Sequence, residues 1–145
     1  MTFDEYKENG MASTEEDSQI QGIKQLGSSL DEHFINLLLF QSQLKIMHWG
    51  TESYSQHNAY GMTYDSISDG LDALVESYQG YHGRIDFGNS CEFISFSDVE
   101  PNSWLKTMME CLTTLRENVK ESDLQNQIDE LISGVSKLMY LLTLK

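Results

Sequence analysis

At 145 residues the chain has the length of one domain able to bury its own core. Its 23 Asp+Glu against 9 Lys+Arg leave a formal net charge of −14. Such a surface repels phosphates, argues against direct nucleic-acid binding, and suits cations or a basic protein partner. Two cysteines, Cys91 and Cys111, make no disulfide framework, and no apolar run, Leu37 to Phe40 included, approaches the length of a membrane span. The expectation is a reduced, cytoplasmic chain without a membrane span.

Residues 1 to 28 are acidic and rich in Ser, Gly and Gln, with Ile20, Ile23 and Leu26 as apolar exceptions. They read as a flexible arm that orders on a partner. Residues 29 to 145 read as one helical domain. Ser29-Leu-Asp-Glu32 is a capping box that opens a helix over 29–49. Leu30, Phe34, Leu37, Leu38, Gln41, Leu44 and Met47 mark its buried face.

After a break at Gly50-Thr-Glu-Ser53, a second helix is predicted over 54–79. Tyr60, Tyr64, Ile67, Leu71, Leu74 and Tyr78 recur at three- and four-residue steps. Gly61 and Gly70 each cost about 1 kcal/mol against Ala inside a helix, which points to close packing there. Residues 80 to 100 carry Gly80, Gly83, Gly88, Asn89 and Ser90, which break helix. Phe93, Ile94 and Phe96 suggest an extended piece, as in a short hairpin, that covers something apolar.

A third helix should begin near Pro101–Ser103, with Leu105, Met108, Leu112, Leu115 and Val119 as its stripe. Ser122 or Asp123 should cap a fourth, whose stripe is Leu124, Ile128, Leu131, Val135, Leu138 and Leu142. Short connections within each pair and a longer one between them imply an all-α, antiparallel four-helix bundle, ferritin-like in connectivity. The B–C crossover, between the second helix and the third, is then the non-helical segment.

The residues with chemistry to offer are His48, His57, Asp72 and Glu76. Asp72 and Glu76 stand four apart, on one face of the second helix, and Asp65 and Asp69 extend that stripe. Oxygen donors attract hard cations, and added imidazole shifts preference toward iron, manganese or zinc. His57 lies fifteen residues before Asp72, roughly 22 Å along a helix, so the two cannot meet within one chain. A two-fold axis that runs this helix antiparallel to its mate brings them together and makes two equivalent sites per dimer. The bland alternative is that four carboxylates form a solvated face and the histidines cap helix ends. No Glu-x-x-His occurs, which argues against a di-iron centre within one chain.

Met47-His-Trp-Gly50, then His57, then Asp72-Ala-Leu-Val-Glu76 resembles the Dps-type mini-ferritins, over about residues 29 to 80. Leu74-Val-Glu-Ser-Tyr-Gln-Gly80 is also similar to small ferritin-like proteins encoded by tailed bacteriophages. The resemblance implies iron as the ion, oxidation of Fe(II) by peroxide or oxygen, and a shell of twelve subunits built from dimers. It implies His48 and His57 as ligands from one chain, Asp72 and Glu76 as ligands from its neighbour, and Trp49 beside the iron as a radical quencher. Where family members carry an acid one turn after the second histidine, this chain has Gly61, and it lacks the basic tail that binds DNA. The other reading is a phage-encoded structural or assembly protein, with phage structural proteins as partners and the virion as its location, that keeps the fold without ferroxidase activity.

Overall fold

A computed structural model describes residues 30–88 and 92–145. The expected arm over 1–28, the capping Ser29 and Cys91 lie outside the described residues. The chain divides into the units Met1–Glu32 and His33–Lys145, and the second carries the helices and the candidate site.

Among the described residues four helices make an all-helical bundle: α1 over Asp31–Gly50, α2 over Tyr54–His82, α3 over Pro101–Glu117 and α4 over Ser122–Leu141. On α1 the buried face differs from the expected one. Leu38 is 47% exposed and Gln41 only half-buried, while Ile35, Phe40 and Gln43 are buried. The reason is a third covering surface. The Phe40 ring lies 4.9 Å from that of Trp104 on α3, and Gln43 is covered by the segment leading into α3.

Helix α2 starts where Ser53 Oγ accepts from the Gln56 N–H. It runs three residues past the expected end at 79. Gly80 alone does not stop it, since a helix tolerates one glycine at about 1 kcal/mol. The stop comes at Gly83, at φ 92°, where its N–H donates to Gln79 O at 2.9 Å. That left-handed backbone favours glycine. Gly70 permits the close approach expected of it, because a Cβ there would lie 2.7 Å from Leu131 Cδ2 on α4.

The segment between α2 and α3 contains no strand among the described residues, so the hairpin is not formed there. Ile94 is instead held by a side chain. Gln43 Nε2 donates to Ile94 O at 2.8 Å, and Ile94 N–H donates to Gln43 Oε1 at 2.9 Å. A buried amide thus imitates the neighbouring strand that the sequence seemed to need. A 3-10 turn over Phe96–Asp98 follows.

Helix α3 begins at Pro101, as expected, and Glu100 caps it by accepting from the N–H groups of Asn102 and Ser103. These bonds hold its carboxyl below the usual carboxylate range. The expected stripes of α3 and α4 are buried from Leu105 to Val119 and from Leu124 to Leu138, while Leu142 is half-buried and lies just past the end of α4. The expected cap of α4 is not formed. Ser122 is already helical, and Glu121 takes the cap position without a side-chain bond.

Side-chain contacts tie the helix ends. Phe34 on α1 meets Tyr78 on α2, with ring centroids 4.6 Å apart. At the start of α2, Ser55 Oγ donates to Leu144 O at 3.3 Å, and at its end Tyr81 OH donates to Asp123 at 3.1 Å. Arg116 near the end of α3 forms a bidentate pair with Asp129 on α4. Cys111 is buried and free, and burial pushes its thiol up to about 12. No described helix is long and apolar enough to cross a membrane.

Candidate metal centre

The turn Thr51–Ser53 folds the end of α1 against the start of α2, and this brings His48 and His57 together. Their rings stack with centroids 3.8 Å apart and planes 20° apart. Each imidazole is tied to the other residue's backbone. His48 Nδ1 lies 2.7 Å from His57 O, and His57 Nδ1 lies 2.9 Å from His48 O. A carbonyl oxygen only accepts, so both Nδ1 atoms must carry the proton. In the neutral rings both Nε2 atoms then keep a lone pair, which is the arrangement that readies histidine for a metal.

The stack also sets a limit. Lone pairs lie in the ring planes, and nearly parallel planes 3.8 Å apart do not converge on one point about 2.1 Å from both nitrogens. As stacked, each imidazole addresses a separate position. One shared ion would require a ring to swing out.

Gly61 is part of this arrangement. A Cβ there would lie 2.9 Å from His48 Cε1 and 3.0 Å from its Nδ1. The missing side chain lets the His48 ring rest on α2. The space that a side chain at position 61 would take is therefore filled by the His48 imidazole.

Asp72 and Glu76 lie further along α2 and are both exposed. Asp72 borders a groove of about 350 Å³ between α1 and α2, whose walls include Leu38, Leu71, Val75 and Phe87. Among the described residues no group of three or more His, Cys, Asp or Glu side chains gathers to hold a metal ion. One chain thus brings the two histidines together and leaves the two carboxylates apart from them.

Trp49 is 72% exposed beside the histidine pair. Lys45 Nζ sits 5.8 Å from the Trp49 ring centre and 4.4 Å from that of Tyr64. This places the ammonium over two aromatic faces, where ring quadrupoles attract it. Sequence reasoning missed Lys45 and Gln43. Gln43 had a signal, a polar residue beside Leu44 and one turn before Met47 in an apolar stretch, whereas Lys45 had none.

A family model matches residues 48–142. The chain belongs to DUF5856, a family of unknown function. The DUF5856 match opens at His48 and takes in Trp49, His57, Asp72 and Glu76, together with all of α2, α3 and α4. No curated protein and no solved structure matches the chain.

Proposed function

We propose that this chain is a ferritin-like protein that binds and oxidises Fe(II) at sites completed by a second copy of itself. The carrying observation is the His48–His57 pair, with both Nδ1 atoms bound to carbonyls and both Nε2 atoms left for a ligand. The complementary carboxylates stand on the same helix, roughly 22 Å away, so only a neighbour can supply them.

Two further features support this. The helix ends that meet support reading α1–α2 and α3–α4 as antiparallel pairs, with the segment after Gly83 as the crossover of a ferritin-like bundle. Half-buried and exposed residues also form one stripe on α2: Tyr54, His57, Gly61, Tyr64, Ser68, Asp72 and Val75. A two-fold axis near Tyr64–Asp65 pairs His57 with Asp72 and Tyr54 with Val75. Imidazole then meets carboxylate, and ring meets aliphatic. Such self-complementarity is what an isologous interface requires. A closed homo-oligomer built on this dimer, up to a dodecameric shell, is the assembly we propose.

Iron is the substrate here. His48 and His57 offer nitrogen donors, and the partner's Asp72 and Glu76 offer oxygen donors whose charge favours Fe(III) over Fe(II). Two Fe(II) ions give one electron each to peroxide, which takes up two protons and leaves as two waters. Trp49 stands where it can supply an electron to a stray oxidant.

Gly61 favours the second reading, a structural or assembly protein without oxidase activity, because it removes one acidic donor. Mixing the protein with Fe(II) and peroxide, and following Fe(III) absorbance, separates the two. Oxidation faster than in buffer, and lost in His57→Ala, is the expected result. A rate equal to buffer that His57→Ala leaves unchanged would overturn the ferroxidase reading.

A further inference from the structure

A cleft of the bundle lies away from the histidines, between α1, α3 and the segment that joins α2 to α3. It encloses about 430 Å³, a volume typical of small-molecule sites. Its walls are mostly apolar: Leu39 and Phe40 from α1, Trp104 and Met108 from α3, and Ile94 from the joining segment.

The cleft is built by a clamped wall. Gln43 is 1% exposed, and its amide is engaged on both sides by the Ile94 backbone. Two residues on, the Phe96 ring packs against Gly50, where a Cβ would lie 2.7 Å away. These two anchors hold the segment off α3 rather than letting it collapse onto Trp104.

The lip is acidic. Two carboxylates border the cleft, Asp98 and Glu100. Glu100 is occupied by the α3 cap, with bonds to the Ser103 N–H and hydroxyl and to the Asn102 N–H. Asp98 is exposed, and among the described residues no ion pair takes up its carboxylate. An apolar floor with an indole, beneath a carboxylate left open, is complementary to an organic cation with an aromatic or branched apolar body. The net charge of −14 favours the same sign of ligand.

We infer that the cleft between α1, α3 and the Ile94 segment is a binding site for small aromatic amines, with the apolar body against Leu39, Ile94 and Trp104 and the ammonium at Asp98. This site is separate from the histidine pair and does not depend on iron.

The test uses three probes of one shape: 2-phenylethylamine, 2-phenylethanol and 3-phenylpropanoate. Binding is followed by amide chemical shifts in the full chain. The amine should shift the amides of residues 94–108 and saturate, with the alcohol about fivefold weaker and the anion weaker still, the step expected of one surface ion pair. Thr107→Trp fills the cleft from an exposed position on α3 and should abolish the shifts. Asp98→Asn should make amine and alcohol bind alike. Absence of saturable shifts, as when a second copy covers the cleft, would overturn the inference. So would equal binding of the three probes, binding that survives Thr107→Trp, or charge selectivity that survives Asp98→Asn.

Discussion

The two ends of α2 differ in how firmly their polar groups are held. At the N-terminal end, His57 is stacked on His48 and both rings are tied by backbone carbonyls, with Gly61 making room beneath. Further along, Asp72 and Glu76 stand exposed beside a groove. The histidines belong to the chain's own packing, so they contribute to its fold and are preorganised for a ligand. The carboxylates contribute nothing of that kind within one chain. Chemistry that needs both ends is fixed on one side and waits for a partner on the other.

The sharpest way to break this contrast is to fill the space under His48. Gly61→Leu should lower stability by about 1–3 kcal/mol in urea unfolding, because the ring must leave its seat. An unchanged midpoint would mean that the pair is not held by packing. Next comes a pair of variants that should agree on metal and disagree on folding. His57→Ala removes one half-buried stack and one hydrogen bond and should cost about 1 kcal/mol. Asp72→Asn should stay within about 0.5 kcal/mol of the parent, as exposed substitutions do. Both should lose Fe(II) binding by titration calorimetry. Equal destabilisation by the two would erase the distinction between the ends.

The smallest effect concerns pH at the far end of α2, where His82 meets Glu121 at 3.2 Å. The N–H of Glu121 itself, and then His82, hold the Glu121 carboxyl below its ordinary value of 4.5. A lowered folded-state value means that this stabilisation is complete above about 4.5 and is lost as pH falls further. Amide exchange should therefore rise first around Tyr81–Gly83 below that pH. Exchange rising first at residues 48–57 would reverse the ranking of the two ends.

Much of the bundle was legible because its stripes are periodic. Leu105 to Leu115 and Leu124 to Leu138 repeat cleanly, and each is buried. The face of α1 was misjudged because a helix covered on three sides buries more than one stripe. Periodicity does not reveal that a third cover comes from residues 94–104. The end of α2 was set by a left-handed backbone at Gly83, and Gly80, three residues earlier, looks identical in sequence. The hairpin was inferred from Phe93, Ile94 and Phe96, but a side-chain amide 51 residues away in the chain met the backbone's needs instead. At the site, spacing alone announced that His57 and Asp72 stand far apart. It did not announce the stack, since ring orientation depends on which carbonyls the turn at 51–53 brings within reach.

The claim that the site is split between two copies is tested most directly by mixing two crippled chains. His57→Ala and Asp72→Asn proteins are unfolded together, refolded at equal ratio and titrated with Fe(II). Random pairing makes half the dimers mixed, and each mixed dimer rebuilds one of its two sites, so about a quarter of the parent's capacity should return. Each variant refolded alone should bind none. A mixture that binds no more iron than the separate variants would contradict the shared site.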